Sequence, residues 1–173
     1  MYSGQVNYYE FFVLTILFDS IVMTDFLLFL HSWTRWIILI LGLIVIIQGY
    51  SGWKGNKLFL KGHNTRSAIF VGFFHLQVLM GLIIYFALSP VVQTAFEDFG
   101  VAMKNSDLRF WAVEHGFIMI VAAVVAQIGR IKIKKAASDV LKHKATFVYF
   151  LIALILVLSR IPWNETTRLF RGL

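Results

Sequence analysis

The sequence predicts an all-α integral membrane protein, an antiparallel four-helix bundle. Three observations predict it. The first is composition: 59% of the 173 residues are hydrophobic, 14% are charged, and the mean hydropathy is +0.77. A soluble domain is nearer half apolar and a quarter charged. The second is distribution: the apolar residues gather in blocks of about 18–24, the length a helix needs to cross ~30 Å of hydrocarbon. The third is charge asymmetry: ten of the sixteen Lys and Arg residues lie in segments 51–66 and 130–144, which fall on one side if the blocks are spans.

No stretch rich in Pro, Gly or Ser divides the chain and no internal repeat stands out, so one compact domain follows. The chain has no cysteine. That excludes thiolate metal sites, iron–sulfur clusters, disulfides and covalent haem attachment. The net charge of +7 is explained by loop positions under the positive-inside rule, without a nucleic-acid partner.

Residues 1–22 are expected to be an N-terminal extension or an interfacial helix. The stretch 11–22 is apolar but broken by Asp19 and flanked by Glu10 and Asp25. It lacks the basic start and small-residue cleavage site of a signal peptide. Met23 is an alternative start. The four-helix domain then occupies 23–173.

The first span is predicted at 26–50. His31, Arg35, Ile38, Gly42, Val45 and Gly49 recur by four and three, one stripe of a packed helix. Trp33 and Trp36 suit an interfacial aromatic belt. Segment 51–66 is basic with no acid. The second span is predicted at 67–88, with Ala68, Gly72, His75, Leu79, Leu82 and Phe86 as its inward stripe, and Ser89-Pro90 ends it. Segment 90–108 is the longest outside the membrane, with a short surface helix at 91–96 and Asp107 as N-cap of a third span at 109–128. Segment 130–144 is basic, opposed by Asp139 alone. The fourth span is predicted at 145–161, closed by Pro162 and Trp163 and followed by a short polar tail.

Positive-inside topology makes both basic segments cytoplasmic and both termini periplasmic. Short connections make successive helices antiparallel neighbours, so the first and third spans stand diagonally across the core.

Ionisable groups inside a span are costly and mark function. Here they are His31 with Arg35, His75, and the adjacent pair Glu114 and His115. His63 and His143 fall in the basic segments and read as solvated loop residues. Counting ~1.5 Å per residue from the outer boundary places His31 about 9 Å deep, His115 about 12 Å and His75 about 21 Å. His31 and His115 thus match in depth on diagonal helices, which is what a b-type haem asks of two axial imidazoles. Ala112, Gly116, Ala122, Ala123 and Ala126, with Gly42 and Gly72 opposite, would line a slot for the macrocycle. Arg35 and Arg109 are candidate propionate partners. Trp36, Phe73, Phe74, Trp111 and Phe117 are candidates to pack on the ring.

Other arrangements stay open at this point. The polar groups could form a structural core, each histidine bonded to a carbonyl or to Glu114. His75 could replace His31 opposite His115, or Met119 could supply a thioether ligand. Three histidines plus Glu114 could hold a transition metal. His75, Gln77 and Glu114 could relay protons or bind a quinone head group.

His-Ser-Trp-Thr-Arg-Trp at 31–36, His-Leu-Gln-Val-Leu-Met-Gly at 75–81, Arg-Phe-Trp-Ala-Val-Glu-His at 109–115 and Ile-Gly-Arg at 128–130 resemble small bacterial four-span proteins labelled "cytochrome B". The resemblance covers about 26–163. A broader similarity is to the half-bundles of haem A synthase, whose haem ligands lie on the first and third helices; His31 and His115 occupy those spans here. This chain is one bundle, so no synthase reaction carries over. The resemblance implies non-covalent haem b, with His31 and His115 axial to the iron and Arg35, His75 and Glu114 around it. It also implies electron transfer in the bacterial inner membrane, with no further catalysis. A quinone or the subunits of a respiratory or other membrane complex are the expected partners. The alternative is a non-redox accessory or assembly subunit of a larger membrane complex.

Overall fold

The computed structural model describes residues 8–172, with side chains described from Ile21 onward. Every regular element among the described residues is helical: α1 (Tyr8–Lys54), α2 (Lys61–Ile83), α3 (Pro90–Glu97), α4 (Phe99–Lys104), α5 (Ser106–Arg109), α6 (His115–Lys135), α7 (Asp139–Ser159) and α8 (Thr166–Leu169). Two π turns, Ile84–Leu88 and Phe110–Glu114, extend α2 and join α5 to α6. Four helical stretches are long and apolar enough to cross a membrane: Ile21–Lys54, Lys61–Leu88, Ser106–Lys135 and Asp139–Ser159. From Tyr8 onward the predicted N-terminal segment is part of α1 itself; residues 1–7 lie outside the described residues.

The helices reach further into the basic segments than predicted. Connections shrink to 55–60 and 136–138. Lys and Arg are good helix formers with long apolar stems, so a run of charge ends the apolar block without ending the helix. Segment 90–108 holds three short helices where one was expected. Asn105, not Asp107, caps the third long helix: its Oδ1 accepts from Asp107 N at 2.9 Å and Leu108 N at 3.0 Å.

α1 packs on α2 and α7, and α6 packs on the same two, so α1 and α6 are diagonal as predicted. Phe70, Phe74, Ile133, Phe150, Ile38 and Val45 fill the core between them. The predicted α1 stripe holds, with Ile38, Gly42, Val45 and Gly49 buried. Gly49 lets α1 close on α7: a Cβ there would stand 2.7 Å from Phe147 N.

The α2 stripe is corrected. Ser67, Phe70, Val71, Phe74 and Met80 face inward, whereas Ala68, Gly72, His75, Leu79, Leu82 and Phe86 are exposed. In a span the lipid-facing and core-facing sides are both apolar, so periodicity there carries no direction.

Candidate functional site

At the end of the bundle that carries segment 90–108, the helices part around a cavity of about 400 Å³. That lies within the range of small-molecule pockets. Its walls come from α1 (His31, Ser32, Arg35, Ile38), α2 and its π turn (Phe74, Gln77, Gly81, Tyr85), the third long helix (Trp111, His115, Gly116, Met119) and the end of α7 (Val157) with Ile161 beyond it. The tail supplies Thr167, Arg168 and Arg171.

The π turns shape this end. Each widens its helix by one residue, a feature frequent at functional sites. Tyr85 Oη on one donates to the Ala112 carbonyl on the other at 2.5 Å, tying α2 to the start of α6. His115 follows directly; its amide donates to Phe110 O, closing the widened turn.

His115 Nδ1 lies 2.9 Å from the Arg160 carbonyl. A carbonyl only accepts, so Nδ1 carries the hydrogen, and in the neutral ring the lone pair is on Nε2. Trp111 and Phe110 flank the ring at centroid distances of 5.5 and 5.9 Å. His31 differs. Its Nδ1 is buried with no hydrogen-bond partner, while its main-chain carbonyl accepts from Gln77 Nε2 at 2.8 Å. Gly81 makes room for the ring, since a Cβ there would come within 3.2 Å of His31 Cε1.

Arg35 lines the cavity, but its guanidinium is partly engaged. Nη2 donates to Leu169 O at 2.8 Å, Arg168 O at 3.2 Å and Ser32 Oγ at 3.1 Å. Glu114 stands outside the lining, in ion pairs with Arg109 Nε at 2.8 Å and Arg160 Nε at 3.6 Å. It therefore reaches His115 only through Arg160, whose carbonyl holds the ring. Arg109 also donates to Met103 O at 2.9 Å, away from the cavity.

His75 is not brought to the site: it sits on the outward face of α2 and is exposed. Gly72 has open space around it, and Phe117 is exposed. Among the described residues no group of three or more His, Asp or Glu could hold a metal ion, so the three-histidine centre with Glu114 is not assembled.

The tail is what sequence reasoning missed. It folds back across the middle of α1, at Ser32 to Trp36. Ser32 Oγ donates to Arg168 O at 2.8 Å, Trp36 Nε1 to Leu169 O at 3.0 Å and Trp33 Nε1 to Arg171 O at 3.0 Å. Arg171 pairs with Asp25 at 2.7 Å, Phe170 stacks on Trp36 at 5.3 Å, and Arg168 lies 4.2 Å over the Trp111 ring while pairing with Glu165. A signal existed: Ser32, Trp33, Arg35 and Trp36 put four side-chain donors on one apolar helix, and buried donors need acceptors.

His143 is a second correction. It is fully buried near the start of α7, not solvated. Its Nε2 is 3.3 Å from Leu58 O, and its ring packs on Phe59 and His63 at 4.9 and 5.0 Å. Gly52 provides the space, since a Cβ there would overlap the ring.

Comparison with protein-family models, curated proteins and solved structures finds no match to this chain.

Proposed function

We propose that the chain is a membrane-embedded b-type haem protein that passes electrons, in which His31 and His115 would hold the haem iron. One observation carries this reading: two histidines from diagonal helices line a single cavity, and one of them has its Nδ1 bound to a carbonyl. Metal-ligating histidines donate their other ring N–H in this way, which fixes ring orientation and raises basicity. The buried, unpartnered Nδ1 of His31 is a polar atom in want of a role. The residues fit the group: the walls between the imidazoles are largely apolar, and Arg35, Arg168 and Arg171, each already bonded within the protein, also line the cavity and would suit propionate carboxylates.

When bound, haem b supplies a one-electron couple between ferric and ferrous iron. The chain's residues do the remainder. Arg160 orients His115, and the Glu114 carboxylate holds Arg160. Ile38, Phe74, Val157 and Ile161 keep the cavity apolar, and the tail covers its mouth. The basic ends are assigned to the cytoplasm of a bacterial inner membrane, and the cavity and both termini to the periplasmic side. A quinone or a protein subunit would exchange electrons there. The second reading, a non-redox accessory or assembly subunit, is favoured by the way Ser32, Trp33, Arg35 and Trp36 bind the tail.

The test is the visible spectrum of the purified full chain, oxidised and dithionite-reduced, with a pyridine haemochrome assay. A sharp reduced α-band and about one haem per chain, lost in His31→Ala and His115→Ala, is the expected result. A colourless protein made with ample haem supply overturns the proposal and leaves the accessory-subunit reading.

A further inference from the structure

The opposite end of the bundle carries most of the basic charge, and its cations divide into two groups. Among the described residues, most of those toward α1 and α2 have partners in the protein, Lys61 being the exception. Arg130 donates to Asn64 Oδ1 at 2.7 Å and Ser67 Oγ at 3.1 Å, Arg66 to Gln48 Oε1 at 2.5 Å, and Lys57 to Ser51 Oγ at 2.8 Å. Lys142 pairs with Asp139 at 2.9 Å. Between the end of α6 and the start of α7 the situation reverses. Lys132 and Lys135 have no ion pair or hydrogen bond among the described residues, and Lys144 has only its Nζ over the Trp53 ring at 5.4 Å.

These three lysines crown a groove of about 490 Å³ in which no carboxylate takes part. The rest of its lining is apolar or aromatic: Ala136 between the two helices, and Leu141, Ala145, Val148 and Tyr149 on α7. α7 starts at Asp139 and runs from there into the apolar body, so these α7 residues descend along the groove by about 12 Å, at ~1.5 Å per residue. The groove therefore carries its cations in its upper part, where Ala136 and Leu141 also lie, and is apolar below, along Ala145, Val148 and Tyr149.

We propose that this groove binds an anionic phospholipid, its phosphate on Lys132, Lys135 and Lys144 and one acyl chain along Ala145, Val148 and Tyr149. Lysine ammonium groups hold phosphate as point charges, and their stems cover the apolar wall while the heads reach the headgroup. Basic pockets between spans recognise acidic lipid in this manner, each cation near the surface adding a similar increment. The apolar lining selects a lipid over a soluble anion, because free phosphate would gain nothing from it. The proposal is independent of haem.

The test is native mass spectrometry of the detergent-purified full chain, titrated with phosphatidylglycerol or with phosphatidylcholine of the same acyl chains. Adducts of phosphatidylglycerol should appear at about tenfold lower concentration. The variant K132Q/K135Q/K144Q should lose that preference, and K132R/K135R/K144R should keep it. The variant K54Q/K57Q/K61Q removes the same charge from the same end and should also keep it. Millimolar inorganic phosphate should not displace the lipid. The proposal is overturned by equal binding of the two lipids, or by a preference that survives in the groove variant. It is equally overturned if both glutamine variants lose the preference alike, which marks diffuse charge, or if phosphate displaces the lipid, which marks a free-anion site.

Discussion

Each end of the bundle holds a pair of histidines, and the two pairs have opposite fates. At the basic end His63 and His143 lie ring against ring at 5.0 Å with Phe59 wedged beside them. Gly49 and Gly52 draw α1 onto α7 there, and the His143 ring is fully buried, its Nδ1 without a hydrogen-bond partner like that of His31. At the other end His31 and His115 come from diagonal helices that the π turns and the tail hold around a cavity of about 400 Å³. The residue type is the same; what differs is whether glycine closes the helices together or widened turns keep them apart. A histidine in an apolar helix is thus packed against its neighbours or left facing a cavity according to the space they leave.

Substitutions can break this contrast, and the largest effect is expected from the ligand pair. His115→Ala or His31→Ala should remove most of the haem, at least about tenfold, while His63→Ala and His75→Ala leave it in place; haem per chain by pyridine haemochrome checks this. His143→Ala should cut stability by about 2–4 kcal/mol through the cavity it leaves and keep haem content unchanged, as followed by thermal unfolding of the detergent-solubilised protein. If haem were lost with His143 and kept without His31, the assignment of the two ends would be inverted.

Gly52→Ala sharpens the comparison from the other side. The new methyl overlaps the His143 ring, so a loss of about 1–3 kcal/mol is expected from overpacking, again with haem retained. Trp36→Phe removes one donor to the Leu169 carbonyl. It should destabilise by about 1 kcal/mol and raise the susceptibility of the tail to carboxypeptidase, which digestion followed by mass measurement would detect. The smallest effect is expected at Glu114→Gln, since Glu114 pairs with Arg109 and reaches His115 only through Arg160. It should leave haem bound and shift the reduction potential without changing the α-band, a change read by redox titration.

Much of this was legible in the chain. The apolar blocks, the charge asymmetry and the spacing of His31, Arg35, Ile38, Gly42, Val45 and Gly49 fix α1, its inward face and the diagonal relation to α6. Matching the depth of His31 and His115 by counting residues brought both to one cavity. The inward face of α2 was not legible, because a helix that is apolar all round gives periodicity no contrast, and so His75 was turned the wrong way. The burial of His143 was hidden for a related reason: lysines on both sides mark the membrane boundary, and helices run straight through that boundary.

The sequence by itself determined the number of long helices, their order, the cationic end and the position of each ionisable group along its helix, since these follow from composition and from a fixed rise per residue. Only the tertiary structure decided which histidines share a space, where the helices part, and that the tail returns to satisfy Ser32, Trp33, Arg35 and Trp36. Those outcomes depend on rotation about each helix axis and on contacts between residues more than a hundred positions apart. Local sequence carries no record of either, because in an apolar span every face is equally willing to turn inward until packing and hydrogen bonds choose one.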